Sequence, residues 1–188
     1  MDPVFTLPYP EFIVAEQLSK LLPKKEGYSV NVPLSRQQQG FDLLAHSARS
    51  GKVVRIQIKS SRSYPGKPAK RRAARERFNH NLWFNNFKFH DNVADFYVLL
   101  GLYSKRGLDK GLRKKRWYGH QMLIFRDKEM KKFLKSVRTK GGKRDRFFAF
   151  SFDADSPEIF LTRGASQHKP FKEFSLEHRV KDLKRFLR

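Results

Sequence analysis

Apolar positions recur at helical spacing near both ends of the chain and in strand-like runs over most of what lies between. The stretch EFIVAEQLSKLL, bounded by Pro10 and Pro23, predicts a first helix with proline at either end. At about 100° per residue, Phe12, Val14, Ala15, Leu18, Leu21 and Leu22 define its buried side. Glu11 projects near the middle of that side, and Glu16 lies on the far one. Short strands are expected over 28–33 and 41–46, followed by a turn at Ser50-Gly51-Lys52 and a strand over 53–60 that completes a hairpin. Along 53–60, Val54, Ile56 and Ile58 alternate with Arg55, Gln57 and Lys59, so one face reads as core and the other as polar. Residues 61–81 read as a loop with a short basic helix at its end. FYVLLGLY, 96–103, is nearly all apolar and predicts a central strand covered on both faces. A second basic loop over 104–116 precedes a strand over 117–125, and Asp127 then caps a helix to about Val137. Closing strands are expected over 146–152 and 158–161. Ser175 caps a last helix whose Leu176, Val180, Leu183 and Leu187 form one stripe, with Arg179, Lys181, Lys184 and Arg185 mostly outside it. The order, α then several β then α, predicts an α/β or α+β domain in which helices pack on a sheet. The length favours a single domain over 1–188.

Composition narrows the partners. Lys and Arg number 41 against 18 Asp and Glu, a formal net charge of +23, and such an excess repels itself unless an anion compensates it. Nucleic acid is the leading candidate. No run approaches the ~20 continuous apolar residues that span a bilayer, and no charged-then-apolar leader opens the sequence. A cytoplasmic protein with no membrane partner is therefore expected. The chain has no cysteine, which excludes disulfides, cysteine-based zinc sites and thiol catalysis. Eighteen Phe and a hydrophobic fraction of 39% supply the core that a disordered basic tail lacks.

The candidate chemistry gathers on the hairpin. If strands 41–46 and 53–60 pair through Gly51, Asp42 at the start of one lies across from the end of the other, near Lys59. Gly40-Phe41-Asp42 followed by Gln57-Ile58-Lys59 resembles the PD-(D/E)xK nuclease superfamily, in which an acid opens one strand and (D/E)-x-K lies on the next. Here glutamine stands for the usual second acid, and IQIKSSR is similar to the prokaryotic QxK variant of that superfamily. The likeness extends back to the Glu-bearing helix PEFIVAEQL and forward through Trp83-Phe84 to Asp95-Phe96-Tyr97-Val98. It covers about 10–103, leaving 104–188 as a C-terminal strand and helix extension.

The resemblance implies a restriction-endonuclease-like mixed central sheet flanked by helices, and a Mg²⁺-dependent (or Mn²⁺-dependent) endonuclease acting on DNA ahead of RNA. Phosphodiester hydrolysis calls for a nucleophilic water and for stabilisation of charge on phosphate oxygens, which a hard cation with oxygen ligands provides. In that reading Asp42 is the anchoring ligand, with Gln57 offering its amide oxygen and Ile58 its backbone carbonyl. Lys59 sits beside the water or the phosphate, and Glu11 is the fourth ligand. An ordinary first-turn acid stabilised by the helix dipole is the equal alternative for Glu11. A homodimer is the form that would cut both strands.

Two basic loops supply a phosphate-binding surface. Arg62, Lys67, Lys70, Arg71, Arg72, Arg75 and Arg77 follow the proposed catalytic strand, and Lys105, Arg106, Lys110, Arg113, Lys114, Lys115 and Arg116 follow the central one. Each loop carries a single acid, Glu76 or Asp109. The six histidines show no HExxH or HxxxH spacing, and TKGGK lacks the spacing of a phosphate-binding loop. Two alternatives stand beside the nuclease: a catalytically inactive nucleic-acid-binding module of the same fold, and a basic RNA-associated protein of another fold.

Overall fold

The computed structural model describes residues 9–33, 40–65, 78–85, 87–104, 118–139, 141–153, 158–164 and 169–188. In chain order they form α1 (Tyr9–Leu21), β1 (Tyr28–Asn31), β2 (Leu43–Ser47), β3 (Val53–Pro65), β4 (His80–Phe84), β5 (Phe96–Ser104), β6 (Tyr118–Arg126), α2 (Asp127–Ser136), β7 (Phe148–Phe152), β8 (Ile159–Arg163), β9 (Lys169–Pro170) and α3 (Leu176–Phe186). Short 3₁₀ turns lie at Lys24–Glu26 and Lys172–Phe174. The fold is a mixed α/β arrangement with a large, mostly antiparallel sheet and three α-helices among the described residues.

β3 organises the sheet because it changes partners along its length. Its first residues pair antiparallel with β2, from Leu43↔Ile56 to His46↔Val53. Ile56 to Arg62 run parallel to Phe96 to Leu102 of β5, the one parallel pairing among the described strands. Its last three residues, Ser63 to Pro65, pair with β4. From β4 the ladder continues antiparallel through β7, β8 and β9, while β6 borders β5.

Two apolar clusters lie on opposite faces of β3 and β5. On one face Val54, Ile56, Ile58, Phe96, Val98 and Leu100 meet Ile13, Val14, Leu18 and Leu22 of the first helical segment and Leu176, Leu183 and Leu187 of the last. On the other, Tyr97 and Leu99 meet Leu82 and Phe84 of β4, Phe148, Phe150 and Phe152 of β7, and Met130 and Phe133 of α2. The second layer approaches closely because Gly101 lacks a side chain. A Cβ there would lie 2.2 Å from Leu82 Cδ1. The α2 and α3 helices are tied together by Arg179, whose Nη1 donates to Glu129 Oε1 at 3.0 Å and Asp182 Oδ2 at 2.8 Å.

Several expectations are corrected. Phe12 is not on the buried side of α1: it is 55% exposed, and Ile13 takes its place in the core. Glu16 pairs with Lys20 on the outer face, as expected for a solvated acid. Asp127 is the first residue of α2, with Arg126 at the cap position. Ser175 does stand at the cap of α3, where its hydroxyl meets His178 Nδ1 at 2.8 Å. Residues 61–81 are not all loop, since β3 runs on to Pro65 and β4 begins at His80. Within the described residues no helix is long and apolar enough to cross a membrane.

Candidate active site

The site begins with a backbone requirement. Gly40 sits at φ +102°, and a Cβ on it would lie 1.5 Å from Val93 Cγ1, so only glycine lets the chain turn into β2 at this point. Two residues later the Asp42 N–H donates at 2.8 Å to the carbonyl of Ile56, the residue that Leu43 also faces across the ladder. The Asp42 carboxylate then accepts the Ile58 N–H through Oδ2 at 2.5 Å. In a strand the N–H and C=O of one residue leave on the same edge. The Ile58 carbonyl is therefore directed to the edge where Asp42 lies.

Asp42 is partly buried, and that burial raises its carboxyl above the ordinary carboxylate range. The Ile58 hydrogen bond and the charge of Lys59 pull in the opposite direction without cancelling it. The structure thus brings Asp42, Ile58 and Lys59 together, as the hairpin pairing predicts.

Gln57 departs from the simple alternation. Its face of β3 is not open to solvent, because the second apolar layer covers the neighbouring strand, and Gln57 is only 8% exposed. It stands in register with Tyr97, and Lys59 with Leu99. Gln57 Oε1 is buried and receives no hydrogen bond, an arrangement that costs a buried acceptor its solvation without replacement. Lys59 is half-exposed and Arg62 exposed farther along β3.

Tyr97 itself offers no base. Its hydroxyl donates to His90 O at 2.9 Å, and burial first, then the charges of Asp127 and Asp91, push the phenol above its ordinary range. Asp95, which opens β5, is a latch. Its Oδ2 accepts the Arg55 N–H at 2.8 Å and Nε at 3.2 Å, and its Oδ1 accepts Nη2 at 3.1 Å. The pair fixes the start of β5 against β3, a role that a lone Asp before a strand does not advertise.

Glu11 lies half-buried in the first turn of α1. That helix covers the Ile56–Ile58 face, whereas Gln57 and Lys59 leave β3 on the other. No three His, Asp or Glu side chains gather as a metal-binding group among the described residues. Of the basic positions, Lys67, Lys70, Arg71, Arg72, Arg75, Arg77, Lys105, Arg106, Lys110, Arg113, Lys114, Lys115 and Arg116 lie outside the described residues.

No protein-family model matches the chain, and no curated protein matches it. Among solved structures, the bacterial homing endonuclease I-Ssp6803I aligns at 17% identity with a TM-score of 0.32, over 61% of this chain and 65% of that one, a likeness too slight to carry an assignment.

Proposed function

We propose that the chain is a metal-dependent endonuclease acting on DNA, built on the restriction-endonuclease-like core that its QxK pattern resembles. The observation that supports this most is the end of the β2–β3 hairpin. There a carboxyl that burial shifts upward accepts the Ile58 N–H, and a buried amide oxygen with no donor and a lysine flank Ile58 along β3.

The donor set consists of oxygens: the Asp42 carboxylate, Gln57 Oε1 and the Ile58 carbonyl. This set fits a hard divalent cation such as Mg²⁺ or Mn²⁺, and the unpartnered Gln57 oxygen is the feature such an ion would satisfy. The resemblance would add Glu11 as a further carboxylate, but α1 packs on the face of β3 opposite Gln57 and Lys59, so Glu11 is left out of this donor set. Bound there, the ion would supply stabilisation of charge on phosphate oxygens. The protein's own residues hold and orient. Asp42 is stiffened by the Ile58 N–H, Lys59 places a positive charge where a phosphate would develop negative charge, and Arg62 offers a phosphate contact farther along the same strand. The basic residues from Lys67 to Arg77 and from Lys105 to Arg116 would extend that contact, and a homodimer would bring one site to each strand of a duplex.

A second reading draws on the ligand charge. With neutral Gln57 in place of an acid and no three-membered acidic cluster among the described residues, the same fold could serve as a catalytically inactive nucleic-acid-binding module. One experiment separates the two. The purified protein is incubated with linear, supercoiled and branched DNA and with RNA, in Mg²⁺, Mn²⁺ or EDTA, beside Asp42→Asn and Lys59→Met. Metal-dependent cleavage of DNA that both substitutions abolish is expected. Binding without cleavage in every metal, unchanged in both variants, would leave only the binding module.

A further inference from the structure

We propose a second nucleic-acid site, formed by the outer face of β4 and β7 and the cleft at the end of that strand pair, that holds unpaired nucleotides by stacking one base on Trp83 and seating the phosphates of its neighbours among Lys88, Lys135, Arg144 and Arg146. It does not depend on whether the Asp42 site cuts.

The strand pattern places the indole outside. Leu82 and Phe84 point into the second apolar cluster, and Trp83 between them points away, 38% exposed. Its surroundings are built. Trp83 stacks on Phe147 with ring centroids 5.1 Å apart and planes 16° from parallel. The Arg163 guanidinium lies 4.1 Å from the Phe147 centroid. Trp83 and Arg163 both pair with Ala149 of β7, so the ladder itself sets this layered edge. An aromatic platform reinforced by a cation–π contact is held rigid before any ligand arrives.

Cationic side chains line a cleft at the end of the same β4–β7 pair. Arg146 precedes Phe147, and its carbonyl accepts the Phe87 N–H at 3.4 Å. Both residues line this cleft of about 400 Å³, whose wall carries Lys88, Lys131, Lys135, Arg144 and Arg146 against Asp91 and Asp145. Both carboxylates are engaged: Asp91 with Lys131 at 2.7 Å, and Asp145 with Arg163 at 3.5 Å. No carboxylate pairs with Lys88, Lys135, Arg144 or Arg146 among the described residues. The cleft is therefore cationic and partly aromatic, complementary to a chain of phosphates and bases.

The ligand is an unpaired strand, since bases in a duplex already occupy each other's faces and leave an indole nothing to stack on. Trp117→Phe leaves Trp83 as the sole tryptophan, and binding is followed by its fluorescence in EDTA. Oligo-dT should quench it, and Trp83→Ala should weaken oligo-dT binding, followed by anisotropy of labelled DNA, roughly 5- to 150-fold with duplex affinity little changed. Trp83→Phe should restore most of the loss. Arg144→Gln with Arg146→Gln, both on the surface, should reduce the slope of log affinity against log salt for oligo-dT by about 0.7 per lost phosphate contact. Unchanged oligo-dT affinity in Trp83→Ala overturns the proposal. So does an unchanged salt slope, or competition by polyglutamate as strong as by oligo-dT. Cleavage of DNA with none of these effects would sustain the Asp42 site alone, and these effects without cleavage would sustain this one alone.

Discussion

Gln57→Met is the substitution that most directly tests the account of the buried amide. Methionine matches glutamine in length and lack of branching, so it fills the same space while removing the unpartnered Oε1. A buried acceptor with no donor costs about 1–3 kcal/mol. Its removal should stabilise the protein in EDTA by that amount. For a chain of 188 residues, each kcal/mol moves the thermal midpoint by about 2–4 °C, giving a rise of roughly 2–12 °C. Metal reverses the ranking. If Gln57 is a ligand, saturating Mn²⁺ should stabilise the wild type by about 2.7 kcal/mol at a hundred times its dissociation constant, and Gln57→Met should gain far less. Urea melts with and without Mn²⁺ read both quantities on the same samples. A Gln57→Met protein less stable than wild type in EDTA, or one that gains as much from Mn²⁺, would refute the reasoning.

Other outcomes follow from the same geometry. Burial raises the Asp42 carboxyl, so ionising it opposes folding: the wild type should lose stability relative to Asp42→Asn as pH rises through the folded value, with the gap closing below the unfolded value near 3.8. Urea midpoints taken from pH 3.5 to 8 check the sign, and a gap that widens toward acid would contradict it. Gly101→Ala drives a Cβ into Leu82 and should cost about 1–3 kcal/mol; in a Leu82→Ala background that cost should largely vanish, which a double-mutant cycle measures. Arg179→Ala removes the bridge between Glu129 and Asp182 and should cost about 1.5–3 kcal/mol, seen as a lower urea midpoint with any metal-dependent cleavage retained.

The hairpin and its acid were legible because every signal involved is short-range. Gly51 marks the turn, alternation marks β3, and the register that follows from them brings Asp42 to Ile58 and Lys59. Alternation reads the Gln57 face as polar, and there it misleads. Whether a strand face meets water depends on what folds over it, and here that is β4 and β7, distant in sequence. β4 was hidden for a related reason. HNLWF follows a long basic run and has only Leu82 and Phe84 to bury, and the space that receives Leu82 is made by a glycine on another strand. Phe12 fails differently: hydrophobicity places it inside, but Ile13 and Val14 fix the buried arc, and Phe12 falls beyond its edge. The Asp95 latch needed the fold, because its partner Arg55 lies 40 residues away.

The partner change along β3 sets an order of assembly. Pairing with β2 closes only a short turn, which hairpins accomplish in about 1–10 μs. That step alone can bring the Asp42 carboxylate to the Ile58 N–H. The parallel pairing with β5 must first close the 40-residue span that also separates Arg55 from Asp95, and long parallel closures are slow. Gln57 becomes enclosed only then. During refolding, the carboxylate half of the site would thus exist before the amide half.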